Sequence, residues 1–335
     1  MKEIMNMKLK TLILTIALIL GVSTNISAQP GAIKKAADAA FTLTTFKADG
    51  SILATSNGVC ISTDGVAVSP WKPFIGADKA VIIDAKGQKH EVDCLLGANE
   101  IYDIVKFQVS GKTIAAPLAT TVSVGDEAWI TPMPKSGNAE KADVSSVEKF
   151  MDKYNYTILK SSATDKLNGA PVFNAKGQVI GLFNSAGESQ SSTDANYAKD
   201  FVVKGLSQND ITLRQSNIRI GLPNTVEEAV VALMLSSEKP TNIHEAIVNE
   251  FISKFPQAND GYYALANIQV AKGEFANADK TMQTAISKVT AKDEAHYNFA
   301  RLIYRNALIQ EFAEKTKSVG WTLDKALDEI KKAET

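Results

Sequence analysis

Side chains able to do chemistry are few in this sequence. Three histidines occur among its 335 residues, His90, His244 and His296, together with two cysteines, Cys60 and Cys94. No His and Cys cluster at ligand spacing accompanies them, so neither a metal site nor a cofactor site is expected. His90 is the one imidazole ahead of residue 225, on a strand after the Lys86-Gly87 turn, and an isolated histidine there reads as an exposed structural residue. The hydroxyls of Ser161, Ser162 and Thr164 stand just before the run Lys166-Leu167-Asn168-Gly169-Ala170-Pro171. A carboxamide such as Asn168 cannot be deprotonated into an acyl-transfer nucleophile at neutral pH. The small residue after it exposes a peptide nitrogen to attack on the amide carbonyl, so slow ageing at Asn168-Gly169, rather than designed self-processing, is the expectation.

Two kinds of element must position these groups. From Phe41 to about Leu206, short runs of Val, Ile, Thr and Phe alternate with turn signals at Asp49-Gly50, Asp64-Gly65, Lys86-Gly87 and Lys176-Gly177. That pattern predicts an all-β sandwich or barrel. Residues 207–224 are mixed and polar and read as a linker, closed by the helix-start signal Pro223-Asn224-Thr225. Beyond it the period turns helical, and Ala232, Ala266 and Ala300 recur 34 positions apart. Tyr262, Leu265 and Ala266, then Gly273 and Phe275, then Ala278, Met282 and Ala285 form the best unit, which resembles the tetratricopeptide repeat. Ala326 and Ala333 keep the seven-residue interval of Ala278 and Ala285, which starts a last helix near Thr322 after an insertion around 306–320. About three repeats fit, the last with that insertion, and stacked pairs of this kind offer a concave groove to a peptide or protein.

Composition sets the bounds. With 45% hydrophobic and 22% charged residues, the chain can fill two cores of ordinary size. Lys2, Lys8 and Lys10, an apolar run from Leu12 to Val22 and the small, polar tail Ser27-Ala28-Gln29 read as a signal peptide over residues 1–28. The run is shorter than the roughly 20 residues a spanning helix needs, so no integral membrane segment is expected after cleavage. Removing residues 1–28 takes away three lysines and one glutamate and leaves 33 basic against 36 acidic residues, a balance that gives no reason to expect nucleic acid. In an oxidising compartment Cys60 and Cys94 pair if adjacent, and otherwise stay a buried free pair.

The β half carries a longer signature. Gly58-Val59-Cys60-Ile61-Ser62-Thr63-Asp64-Gly65 runs without a gap into Val66-Ala67-Val68-Ser69-Pro70-Trp71-Lys72-Pro73-Phe74-Ile75-Gly76-Ala77-Asp78. Tyr102-Asp103-Ile104-Val105-Lys106-Phe107, Ala116-Pro117-Leu118, Val124-Gly125-Asp126-Glu127-Ala128-Trp129 and the segment from Pro171 to Leu182 follow in order. Over roughly residues 40–206 this series resembles the trypsin-like serine proteases, nearest the HtrA/Deg branch. The resemblance implies a double β-barrel over residues 29–206, followed by an α-helical tetratricopeptide-repeat array over 225–335. In its register the general base falls on Lys72, the orienting acid on Asp103, the nucleophile of Gly-Asn-Ser-Gly-Gly-Pro on Asn168 and the oxyanion-hole glycine on Lys166. Tyr197-Ala198-Lys199 falls where a segment lines the primary specificity pocket.

A triad needs a nucleophile, a base and an orienting acid, and only the acid keeps its residue type. Lysine holds its proton to about pH 10.4 in model peptides, so Lys72 is a poor base and, folded onto Asp103, leaves a structural ion pair. Lys166 disfavours a backbone shape open mainly to glycine. The expectation is an exported pseudoprotease, periplasmic or secreted, that binds peptide or protein partners through its barrel cleft and repeat groove. Trp71 and Phe74 would close that cleft or, more commonly, pack in the core. An active serine-type peptidase using Ser161 or Ser162, and a structural assembly protein, are the alternatives. The PDZ module of the HtrA branch is missing, so its regulated oligomers do not carry over.

Overall fold

A computed structural model describes residues 31–134 and 137–334; the signal-peptide reading of residues 1–28 lies outside them. A short helix α1 (Gly31–Ala36) leads into β1 (Ala40–Phe46), β2 (Ile52–Cys60), β3 (Val66–Ser69), β4 (Lys79–Ile83), β5 (Lys89–Asn99) and β6 (Ile104–Val109). These close into an antiparallel barrel in the order β1-β2-β3-β6-β5-β4. The next six strands are β7 (Glu127–Ile130), β8 (Glu140–Phe150), β9 (Tyr154–Ser161), β10 (Pro171–Asn174), β11 (Val179–Ala186) and β12 (Ser189–Thr193). They close a second barrel in the order β10-β11-β12-β9-β8-β7. Two closed six-strand barrels are what the resemblance implies, where turn spacing and strand composition by themselves lead only to a sandwich or barrel. The Asp64-Gly65 turn shows why glycine is required there: Gly65 has φ +96°, and a Cβ on it would lie 2.5 Å from the Val109 carbonyl oxygen.

Alternation along the strands sends Phe41, Leu43, Leu95 and Phe107 into the first barrel, where Trp71 and Phe74 stack with ring planes 3° apart. Both rings are fully buried, so they are core and do not cover the cleft. Burying each such side chain stabilises the barrel by about 1.5–3 kcal/mol. Ala128, Ile130, Val172 and Phe183 fill the second barrel. A third cluster, with Val59, Val68, Trp129, Phe173 and Leu182, seals one barrel against the other and captures Ile33 of α1.

After helix α2 (Ala195–Lys199) comes the stretch read as a linker, and it is not free. Leu213, Ile218 and Ile220 enter the core of the first barrel, Leu95 N–H donates to Arg219 O at 2.9 Å and Gly221 N–H to Leu95 O at 2.9 Å. Residues 207–224 are therefore a strap laid along β5. Its apolar positions follow neither a two-residue nor a helical period, which is why the composition alone looks like a connector. Arg219 then bridges Asp93 on β5 and Glu250 beyond the strap.

Glu250 lies in the helical half, which in the described residues is built from α3 (Val226–Ser236), α4 (Thr241–Lys254), α5 (Asn259–Ala271), α6 (Phe275–Lys288), α7 (Lys292–Ala307), α8 (Ala313–Ser318) and α9 (Leu323–Ala333). Ala232, Ala266 and Ala300 sit buried on α3, α5 and α7, the first helices of successive pairs. Ala278, Met282 and Ala285 are the buried stripe of α6. Helix α9 starts with Thr322 as its cap, the side chain accepting from Lys325 N–H, and the insertion before it folds as α8 with a preceding 3-10 turn. Trp321, packed on Phe275 and Phe299, donates to Asp279 at 2.8 Å and locks the last pair to α6. Among the described residues no helix is long and apolar enough to cross a membrane.

Candidate functional site

A cleft of about 400 Å³ opens between the barrels, with Lys72, Asp103, Tyr156, Asn168, Asn184 and Thr193 among its lining. Lys72 opens a 3-10 turn, Lys72–Phe74, held by the buried rings on either side. Asp103 stands at the mouth of β6 with φ +45°, and its carboxylate is turned to Lys72: Oδ1 accepts from the Lys72 backbone N–H at 2.8 Å, and Oδ2 lies 3.5 Å from Nζ. The ammonium is 73% exposed, so the ion pair contributes at most about 1 kcal/mol. The backbone contact is the one that fixes the carboxylate.

Asn168 ends the single 3-10 turn Asp165–Leu167. Its N–H donates to Asp165 O at 2.9 Å, its C=O accepts from Asn57 Nδ2 at 3.0 Å, and its carboxamide faces Ser185 on β11. There Oδ1 accepts from Ser185 N–H at 2.7 Å and Nδ2 donates to Ser185 O at 3.3 Å. Gly169 follows with φ +82°, and a Cβ there would sit 2.7 Å from Asn57 O and 2.8 Å from the Pro70 ring. Lys166 lies inside the same turn, exposed, and is not among the non-glycine residues with positive φ. The cleft thus brings together Lys72, Asp103 and Asn168 and leaves Lys166, exposed in the turn before Asn168, out of its lining, and the backbone N–H at residue 168 is already spent within the turn.

Other candidates lie elsewhere. His90 is 7% exposed rather than open to solvent; Nδ1 is 2.8 Å from Ser110 O and Nε2 3.3 Å from Asp84 Oδ2, so the imidazole staples β5 to its neighbours. Ser161 Oγ donates to Gln190 at 2.7 Å and Ser162 Oγ to Glu140 at 3.2 Å, and neither lines the cleft. Cys60 and Cys94 are both buried and free. Cys60 belongs to the first barrel's core while Cys94 packs on the strap at Gly221, and burial pushes both thiols up to about 12. Tyr197-Ala198-Lys199 lies on α2, not on the cleft wall. Tyr197 is buried against Tyr102, Phe150, Tyr154 and Phe201, and Leu182, Phe183, Asn184 and Thr193 line the cleft in its stead.

A second concavity, of about 850 Å³, runs along the helical array beside His244, Tyr263, Asn267, Lys272 and Arg301. The Arg301 guanidinium lies 5.6 Å from the centre of the Tyr263 ring, and burial holds His244 below its ordinary pKa. A third hollow, between the first barrel, the strap and α4, is crossed by the Arg219 ion pairs. Asn57 and Ser185 are the site residues that sequence reasoning missed. Nothing in their types marks them, since Asn57 meets Asn168 across 111 positions through a fold-level contact.

No protein-family model matches the chain, and no curated protein matches it. Among solved structures it is similar to the HtrA-type protease AlgW with tripeptide, at 17% identity and a TM-score of 0.44, over 50% of this chain and 60% of that one.

Proposed function

We propose that this chain is an exported, non-hydrolytic member of the trypsin-like fold that binds a peptide or protein partner, working with an array of three tetratricopeptide-type repeats. The observation that carries the reading is Asn168: a carboxamide occupies the position that the resemblance gives to the nucleophile, and its own N–H is bonded to Asp165 O. An oxyanion hole needs free, aimed donors, and a triad needs a base where Lys72 instead meets Asp103. The 34-residue recurrence of Ala232, Ala266 and Ala300 on successive first helices supports the repeat assignment and its concave groove. The charged start, apolar run and small, polar tail of residues 1–28 support export, periplasmic or beyond.

The test uses the mature chain. It is expected to stay unlabelled by a fluorophosphonate probe, to leave casein uncut, and to retain a specific protein from the exported fraction when immobilised. Labelling that survives in Asn168→Ala but disappears in Ser161→Ala or Ser162→Ala would overturn the reading in favour of a peptidase with another nucleophile. Retention of nothing specific would remove the binding role.

A further inference from the structure

The geometry points to Asn168 as an intramolecular stand-in for a bound peptide, closing the strand edge that an extended ligand would use in the cleft. Strand β11 pairs along one side with β12 from Leu182 to Ala186. On its other side β10 covers it only up to Leu182, through Pro171↔Leu182, Val172↔Gly181 and Phe173↔Val179. Leu182, Phe183 and Asn184 line the cleft there, and Ser185 follows just beyond them. Phe183 is met by the chain just after Asn168, its C=O accepting from Gly169 N–H at 2.8 Å and its N–H donating to Ala170 O at 2.9 Å. Ser185 is the next residue of the same parity, and among the described residues it has no strand opposite it on that side.

An incoming strand pairs with such a residue by giving one N–H and one C=O to its backbone. Among neutral side chains the carboxamide is the group that carries a matching donor and acceptor in a planar unit like the peptide itself. Asn168 supplies both, Oδ1 to Ser185 N–H and Nδ2 to Ser185 O. Its backbone is clamped by Asn57 Nδ2 on the C=O and by Asp165 O on the N–H, and Gly169 permits the tight approach to Pro70 behind it. The side chain is therefore aimed, and a peptide reaching Ser185 must displace it. This closing role rests on the reading of the cleft as a peptide site.

Residue-resolved amide hydrogen exchange and binding of fluorescein-labelled casein, both on the full mature chain, test it. In Asn168→Ala the Ser185 amide is expected to exchange about tenfold faster or more, as the loss of a hydrogen bond of ordinary net strength implies, with the amides of β12 and of the helical array unchanged. Casein affinity is expected to rise by about the same factor. Asn168→Leu, nearly the same shape, loses both bonds to Ser185 and should behave as the alanine variant does; it serves if that variant fails to fold. Unchanged exchange at Ser185 in a folded variant overturns the proposal, as does casein affinity equal in wild type and variant despite faster exchange. Faster exchange with no casein bound by any form leaves the closure standing and removes the peptide reading of the cleft instead.

Discussion

The cleft between the barrels and the groove of the helical array draw the partners of their polar groups from different distances along the chain. In the cleft, Lys72 is turned to Asp103, and the N–H, C=O and carboxamide of Asn168 are each bonded to a different neighbour. Those partners come from β2, β11 and the turn before Asn168, brought together from far apart in the chain. In the groove Tyr263 and Asn267 rise from α5 and Arg301 from α7, first helices of successive pairs, with His244 joining them from α4. The groove has about twice the cleft's volume, about 850 against about 400 Å³. The groove's polar groups are bonded as well, but over short range: Asn267 Nδ2 donates to Tyr263 O within α5, His244 meets Ser236 at the end of α3, and Lys272 meets Glu245 on α4.

The largest expected effect tests whether the two regions are independent bodies. Trp321→Ala removes a ring that is 2% exposed and packed on Phe275 and Phe299, and should destabilise the array by about 3–5 kcal/mol. In calorimetry the array transition should fall while the barrel transition holds its temperature. Movement of both by the same amount would mean that the strap and the Arg219 ion pairs fuse them into one cooperative unit, and the contrast would then be one of local geometry alone.

Gly169→Ala probes the cleft in the same terms. The added Cβ meets Asn57 O and Pro70 at a φ of +82°, a combination of strain and overpacking that should cost about 2–4 kcal/mol. Denaturant unfolding measures it, with the array transition as internal control. A loss below about 0.5 kcal/mol would show that the turn after Asn168 yields easily, and the account of a clamped cleft would fail.

These two residues also mark what the sequence could and could not reveal. The 34-residue alanine interval and the seven-residue stripe on α6 are local periodicities, and they place the helices of the array, including the displaced last one, by counting. Turn glycines and β-branched runs likewise give an all-β half, though closure into two barrels rather than a sandwich comes from the longer resemblance. The strap could not be read so, because Leu213, Ile218 and Ile220 owe their burial to the first barrel and to no pattern of their own. Tyr197 was misplaced for a related reason: β12 ends at Thr193, Asp194 caps a helix in its place, and the ring swings into the aromatic cluster. The residue type at 168 is plain in the sequence, but what its amide does depends on Ser185, which only folding brings within reach.

A smaller and slower effect concerns ageing. In an open Asn-Gly segment the glycine nitrogen reaches the side-chain carbonyl, yet here Gly169 N–H is donated to Phe183 O and the carboxamide is held on Ser185. Reaction then requires local opening, so isoaspartate formation at Asn168 should be at least about tenfold slower in the folded chain than in the same chain in urea. Equal rates would show that the edge opens freely, against the aimed geometry of the cleft.

Acid should separate the two regions by the pH at which each begins to weaken. His244 Nδ1 lies 2.8 Å from Ser236 Oγ, whose own hydrogen goes to Leu233 O at 2.7 Å, so the ring donates there. Burial holds its pKa below the ordinary 6.5. The unfolded chain therefore takes up this proton first, and array stability should decline as pH falls below about 6.5, levelling once the folded ring is protonated too. In the second barrel, a hydrogen bond from Lys153, helped by Tyr154 and opposed by burial, holds Asp200 below its ordinary 3.8. Its contribution is present above the unfolded value and is lost only as pH falls through the lower folded one. Calorimetry from about pH 8 to about pH 3 should show the array transition moving first and the barrel transition later, with His244→Asn flattening the earlier slope. If that variant keeps the wild-type slope, the buried imidazole is not what sets the array's acid response, and the two regions differ in geometry without differing in titration.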